Sequence, residues 1–301
     1  MKKIIILSAG IFLFFQGYHA QYNSCASVSE VTETRRVEVK DRETGKVKYE
    51  DQKVRVKKRD AFGNAAGNQY DLAVDGAFEG QTILVLQLVN INFDAPKNAL
   101  AEKGFSVYRY VNKAPSPEEL KKSLDKACQL WVISGSSQQL NNEHARVIQD
   151  FFNQGKGVYI WGDNTPYHAD ADFLTKQLLG TTMSGTYQGD QNVTFKDYDT
   201  KGGMLKNHLI TTGLEYVYEG ITISKIHDQN QQLTPLIWSS DGNVVAGIYE
   251  RDGKRLIIDG GFTRLYYKWN TAGTGRYVKN AAAWLINYER FGDEVLGENL
   301  K

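Results

Sequence analysis

The chain has 301 residues, of which 41% are hydrophobic and 12% aromatic, with 28 glycines and 5 prolines. This composition excludes a disordered chain, a collagen and a coiled coil, and it predicts one folded domain or one domain with a small appendage. The 36 Lys and Arg residues balance 35 Asp and Glu residues. That balance argues against a nucleic-acid-binding protein, because such proteins usually carry a basic excess.

Positions 1–20 have the pattern of a signal peptide. Lys2 and Lys3 precede the apolar stretch Ile4–Phe15, and small residues then lead to a cleavage site before Gln21. The apolar stretch is too short to span a bilayer, and no second long apolar run follows, so we expect no transmembrane anchor in the mature chain. The sequence therefore predicts an exported protein, either periplasmic or secreted.

Export gives the two cysteines, Cys25 and Cys128, two possible interpretations. In an oxidising compartment they are candidates for a disulfide that ties the N-terminal arm to the core. Alternatively, Cys128 is a small core residue and Cys25 is a free or interchain thiol. Neither redox catalysis nor a zinc site is indicated, because the cysteines are far apart and form no CxxC motif.

Residues 21–80 are predicted to form a β-hairpin segment followed by a linker. Val37–Val39, Val47–Tyr49 and Val54–Val56 alternate β-branched or aromatic with charged residues, and Gly45 is placed to turn the chain between the first two runs. We expect a hairpin that continues into a third strand. Residues 61–80 are rich in Gly, Asn and Ala, which indicates a linker or a loop draped over the next domain.

Residues 81–301 have the pattern of one α/β domain. The run 82–89 is almost continuously apolar, as in a strand that is buried on both faces. Predicted helices and strands then alternate: helices at 95–103, 116–127, 142–153 and 172–179, and strands at 105–110, 130–133 and 157–161. This alternation predicts a doubly wound, mostly parallel sheet. Strands at 221–226, 236–238, 244–250 and 255–259 and a helix at 276–288 complete the domain.

Several segments in this order resemble the class I glutamine-amidotransferase-like fold, in the branch that includes ThuA-like and DUF4350-like domains. They are Ile83–Leu86, Trp131–Gly135, Gly155–Asp163, His208–Leu214 and Val244–Gly261, followed by the closing helix. His208–Gly213 is similar to the H-P-I-T-x-G segment of that branch. The resemblance covers roughly residues 81–290 and implies a flavodoxin-like or amidotransferase-like α/β fold.

The residues that would perform amidotransferase chemistry are missing from the matching positions. Catalytic members place a cysteine at the strand-to-helix turn, but here that turn has the sequence Gly162-Asp163-Asn164-Thr165-Pro166. Where the resemblance implies a later histidine, the chain has Gly260–Arg264. The sequence therefore predicts an amidotransferase-like domain that lacks the catalytic Cys and His.

A polar cluster follows the strand 157–161. Asp163, His168, Asp170 and Asp172 are predicted at the carboxyl end of a parallel strand, where open α/β sheets bind ligands. Carboxylates together with an imidazole are potential ligands of a divalent cation. Asp170 or Asp172 equally fits the N-terminus of the following helix as a capping residue. We therefore expect no metal and no cofactor. The predicted ligand-binding residues are Asp163, Asn164, His168 and Arg264.

A second candidate region precedes the closing helix. Thr271–Arg276 is a glycine-rich loop where free N–H groups at a helix start suit an anion, although a simple loop explains the glycines as well. Trp269, Tyr266 and Tyr267 have rings that suit stacking on a sugar or packing on the core.

Three functions are compatible with these features. The first is a non-catalytic exported domain that binds a small ligand, for which a carbohydrate is one candidate, or an envelope partner at the carboxyl ends of its strands. The second is a carbohydrate-active hydrolase that uses the Asp/His cluster. The third is a structural envelope protein whose N-terminal β-segment docks onto a neighbouring protein.

Overall fold

The computed structural model describes residues 30–42, 44–67 and 70–295. The predicted signal peptide and Cys25 lie outside these residues. The strands are β1 (Glu30–Lys40), β2 (Val47–Lys57), β3 (Thr82–Gln87), β4 (Ser106–Val111), β5 (Gln129–Ile133), β6 (Gly157–Trp161), β7 (Thr182–Gln188), β8 (Asn192–Val193), β9 (Gly203–Met204), β10 (Val217–Tyr218), β11 (Thr222–His227), β12 (Thr234–Trp238), β13 (Val244–Arg251) and β14 (Lys254–Asp259). The helices are α1 (Asp94–Glu102), α2 (Pro117–Leu124), α3 (Asn142–Asn153), α4 (Ala169–Leu179), α5 (Thr274–Leu285) and α6 (Tyr288–Val295).

The central sheet has eight strands in the order β4-β3-β5-β6-β14-β13-β12-β9. Strands β4, β3, β5, β6 and β14 are parallel, whereas β13, β12 and β9 add antiparallel pairs. This arrangement confirms the predicted α/β, mostly parallel fold. Strands β7 and β11 form a separate antiparallel pair, as do β8 and β10.

Helices cover both faces of the sheet because alternate residues of each buried strand point to opposite sides. Trp131, Tyr159 and Trp161 belong to the core cluster that includes α5, whereas Leu130 and Ile160 belong to the cluster that includes α2 and α3. Local signals fix the helix starts. Ser116 and Glu119 form the predicted capping box of α2, in which each side chain accepts the other residue's N–H.

The N-terminal segment forms a hairpin and not three strands. β1 pairs with β2 in one continuous register from Glu30↔Lys57 to Lys40↔Val47. The expected third strand was wrong: Val54–Val56 is the second half of β2, because the charged residues that precede it continue the strand instead of breaking it. In the described part of the chain, these two strands form a sheet only with each other.

Residues 70–80 are packed onto the α/β domain. Leu72 and Phe78 are fully buried, and the Leu72 N–H donates to Asn280 Oδ1 at 2.6 Å. The Asp71 carboxylate lies 2.8 Å from Lys103 Nζ and 2.7 Å from Arg276 Nε. This segment therefore drapes over α1 and α5.

Cys128 is a buried thiol immediately before β5. Its Sγ donates to the Thr82 carbonyl at 3.2 Å, and burial raises its pKa to about 12. Because Cys25 lies outside the described residues, the proposed Cys25–Cys128 disulfide stays a prediction.

No helix among the described residues is long and apolar enough to cross a membrane.

Candidate functional site

The turn after β6 leaves no room for a side chain at its first position. Gly162 is buried, and a Cβ placed there would lie 2.3 Å from Met183 Sδ and 3.1 Å from His168 Cβ. A nucleophilic side chain at position 162 would therefore require Met183 to move.

The Asp163 side chain connects the β6–α4 loop to the β14–α5 loop by hydrogen bonds. The side chain is 1% exposed; Oδ1 accepts the Asn164 N–H and Oδ2 accepts the Thr263 N–H, both at 2.8 Å. Burial raises the pKa of Asp163 to about 7, although the N–H donors and the nearby Arg264 charge act in the opposite direction. The carboxyl group thus holds two loops together and titrates near neutral pH.

Asn164 and His168, two of the predicted ligand-binding residues, lie in the same loop as Asp163, and both are partly exposed. Asn164 Oδ1 accepts the Thr222 hydroxyl at 2.8 Å, and His168 Nδ1 lies 3.2 Å from the Asp163 carbonyl oxygen. These contacts connect the loop after β6 to β11 and to itself.

Arg264 lies beneath the loops, away from the surface. Its side chain is fully buried, Nη1 lies 3.1 Å from Asp259 Oδ2, and its remaining nitrogens donate to the carbonyls of Gly261 and Glu219 at 3.1 and 2.8 Å. Tyr277 also donates to Asp259 Oδ2, at 3.0 Å. The guanidinium therefore belongs to an internal network and presents no N–H group outward.

The other two acidic residues of the predicted cluster, the buried Asp170 and the partly exposed Asp172, also accept backbone hydrogen bonds. Asp170 Oδ1 accepts the N–H groups of Gln139 and Leu140 at 2.7 and 2.8 Å, and Asp172 Oδ1 accepts the Met183 N–H at 2.8 Å. In the described ranges, no group of three or more His, Cys, Asp or Glu side chains is arranged to hold a metal ion.

Two backbone segments approach each other closely at the point of the sheet where this fold class usually binds ligands. The strand order reverses between β3 and β5, which defines the switch point of the sheet. There Gly135 approaches the loop after β3 so closely that a Cβ would lie 2.5 Å from the Leu88 carbonyl oxygen.

Exposed aromatic rings mark the two loops at the carboxyl ends of β6 and β14. Tyr167 is 39% exposed, and Tyr266 and Tyr267 are each 41% exposed. Burial and the Asp163 carboxylate raise the pKa of Tyr266. The sequence indicated Tyr266 and Tyr267 as rings for stacking or core packing but not as predicted ligand-binding residues, and it gave no indication of Tyr167.

A cavity of about 630 Å³ lies beside the same β14–α5 loop. It is bounded by residues 60–62, by one side of α1 and by residues 269–279, and its lining includes Phe62, Asn98, Trp269, Asn270 and Arg276. The sequence indicated one wall of this cavity, the loop 271–276 with Trp269, but not the cavity itself, because its other walls come from distant parts of the chain.

No protein-family model matches the sequence, and no curated protein matches it. Several solved structures are similar to it. A GMP synthase-like protein from Thermoplasma acidophilum matches with 12% identity and a TM-score of 0.49, over 71% of this chain and 98% of its own. A ThuA-like protein from Parabacteroides merdae matches with 12% identity and a TM-score of 0.46, over 69% and 90%. The glutaminase domain of Trypanosoma brucei CTPS matches with 10% identity and a TM-score of 0.38, over 68% and 94%. The similar structures thus include ThuA-like and amidotransferase-like proteins, and the likeness concerns the fold alone.

Proposed function

We propose that the protein is an exported, non-catalytic, amidotransferase-like binding domain. It takes a small ligand or an envelope partner on the two loops at the carboxyl ends of β6 and β14. The observation that carries the binding proposal is the group of three exposed tyrosine rings, Tyr167, Tyr266 and Tyr267, on these loops. Aromatic rings with a polar tip are common contact groups at binding surfaces because they combine apolar area with a hydrogen-bonding hydroxyl.

The absence of catalysis is supported by the packing of the turn after β6. Acyl transfer needs a nucleophile beside a base, and Gly162 has no side chain and could gain one only if Met183 moved. Both carboxylate oxygens of Asp163 accept backbone N–H groups, so this carboxylate serves loop structure.

A glycosidase mechanism has little support from the acidic cluster. It requires two carboxyl groups that face one sugar across the scissile bond. Instead, Asp170 accepts backbone N–H groups of the loop before α3, and Asp172 accepts the N–H of Met183 in β7. Arg264 is left out of the proposed binding surface because its side chain is fully buried.

The test combines activity and binding measurements on the purified full-length protein. We expect no ammonia release from glutamine and no hydrolysis of p-nitrophenyl esters or glycosides. A small-molecule and glycan panel, read by thermal shift, should yield a ligand whose effect is lost in Tyr266→Ala. Tyr198→Ala is the matched control, because Tyr198 is 98% exposed and lies outside these loops. Turnover of any tested substrate, or equal ligand effects in both variants, would contradict the proposal.

A further inference from the structure

The cavity beside the β14–α5 loop, here called the Trp269 cavity, has the size of a small-ligand site. Its volume of about 630 Å³ lies within the range of ordinary ligand pockets. Three separate segments form its walls: the turn at residues 60–62, helix α1, and the loop and first turns of α5.

Two aromatic side chains from different walls line this cavity. The Trp269 indole lies against Gly275, where a Cβ would approach the ring to 3.3 Å, so the helix backbone fixes the ring on that side. Phe62, on the N-terminal wall, is 42% exposed. Trp269 is partly buried and also packs against the core, and the part of its ring that lines the cavity is available to stack on a flat, apolar face of a ligand.

The cations that line the cavity are already paired. Arg276 Nε lies 2.7 Å from Asp71 Oδ1, and Lys279 Nζ lies 3.0 Å from Asp71 Oδ2 and 3.1 Å from Glu102 Oε2. The Asp71 carboxylate is buried, and the charges of its cations hold its pKa below the ordinary value although burial acts to raise it. These pairs reduce the attraction for a phosphate or carboxylate ligand, which would have to compete with Asp71.

The remaining polar groups suit hydroxyl groups. Asn98 on α1 and Asn270 on the loop are exposed residues that line the cavity from two walls. Each carboxamide offers both donors and an acceptor, as is needed for hydroxyls that donate and accept in turn.

We propose that the Trp269 cavity binds a neutral saccharide of one or two rings, stacked on Trp269 and hydrogen-bonded by Asn98 and Asn270. This inference goes beyond the proposed function, because the cavity shares the β14–α5 loop but none of the three exposed tyrosines lines it. Sugar rings combine an apolar C–H face with a rim of hydroxyls, and this combination matches the aromatic and carboxamide lining.

The N-terminal segment completes the site. The turn that carries Phe62 is fixed by Asp60 Oδ1, which accepts the Phe62 N–H at 2.9 Å, and by Asn64 Oδ1, which accepts the Tyr216 N–H at 2.7 Å. The segment after the hairpin is therefore a preformed wall of the cavity and not only a connection between two folded parts.

The test is a calorimetric titration of the full-length protein with maltose, cellobiose, lactose and diacetylchitobiose at millimolar concentrations, with choline as a cationic probe. We expect saturable binding of at least one saccharide. Trp269→Ala should weaken that binding about tenfold or more, and Trp269→Phe should weaken it less. Asn98→Ala, an exposed change on α1, should also weaken it. Trp238→Phe is the matched control, because Trp238 is a partly buried tryptophan on β12, outside the cavity lining.

Each result bears on a separate claim. Binding of no saccharide, or of choline alone, would overturn the ligand class. Saccharide binding that survives both Trp269→Ala and Asn98→Ala but is lost in Tyr266→Ala would overturn the cavity while leaving the proposed binding function intact. Conversely, binding that needs Trp269 together with hydrolysis of the bound saccharide would support the cavity and overturn the non-catalytic proposal.

Discussion

Replacing Arg264 with methionine removes the positive partner of a fully buried ion pair. Asp259 has no solvent exposure, and the Arg264 guanidinium lies 3.1 Å from its carboxylate. The two tyrosine hydroxyls that remain near Asp259, those of Tyr159 and Tyr277, at 3.4 and 3.0 Å, can donate hydrogen bonds but carry no charge. The variant therefore leaves a carboxylate in a buried site without a counter-charge.

Breaking a buried ion pair on one side costs about 3–5 kcal/mol, which is a large part of the roughly 5–15 kcal/mol that typically stabilises a domain. Burial already raises the pKa of Asp259 while the Arg264 charge opposes that rise. Without Arg264 the pKa rises further, so the folded state takes up a proton that the unfolded state has released. The loss of stability should consequently be larger at about pH 8 than at about pH 5.

Urea unfolding followed by tryptophan fluorescence measures both effects. The double variant Arg264→Met/Asp259→Asn removes the stranded charge and should recover part of the lost free energy of unfolding. Lys206→Ala, which breaks an exposed ion pair with Asp197, is the control and should leave the midpoint unchanged. An Arg264→Met variant as stable as the wild type, or a deficit that is equal at the two pH values, would refute the buried-charge reasoning.

Three further predictions concern other parts of the chain. Burial raises the pKa of Asp163 to about 7 from an ordinary value of 3.8. The contribution of Asp163 to the free energy of unfolding should therefore fall as the pH rises from about 4 to 7. Urea titrations at several pH values should show this fall in the wild type and a smaller fall in Asp163→Asn. Gly157→Ala should lower the free energy of unfolding by about 1–3 kcal/mol in the same assay, since the new Cβ would lie 2.3 Å from the Leu285 carbonyl oxygen; an unchanged midpoint would contradict this. Cys128 should not react with a thiol reagent in the native protein, because it is buried and burial raises its pKa to about 12. In exported protein that is denatured without reduction, two titratable thiols would exclude the disulfide between Cys25 and Cys128.

The sequence predicted the elements whose signals are local. α3 and β6 begin and end where the apolar periodicity and the flanking Asn and Gly residues indicate. The short strands β8, β9 and β10 were missed because two residues carry too little pattern to predict a strand. The prediction of a separate third strand was wrong for a different reason. The charged stretch before Val54 resembles a turn in the sequence, but pairing with β1 keeps it in the extended conformation as part of β2.

In the candidate site too, the parts set by local sequence could be predicted and the parts set by distant residues could not. Asp163, Asn164 and His168 lie together because they follow one another in a single loop. Whether Arg264 points outward or inward depends on Asp259 and Glu219, whose positions only the folded sheet determines. The Trp269 cavity depends on residues 62, 98 and 269 meeting in space, and no pattern in the sequence indicates that meeting.

The position of β14 between β6 and β13 affects the order in which the sheet can be completed. β6 receives its second neighbour only from β14, which begins about ninety positions later in the chain, so the sheet closes through contacts of long sequence separation. While the protein is being synthesised, the first four parallel strands can associate, but the outer edge of β6 stays open until residues 254–259 have emerged. An unpaired edge of buried, apolar residues favours association with other chains. A chain that stops short of residue 254 should therefore be a source of aggregation and not a smaller folded domain.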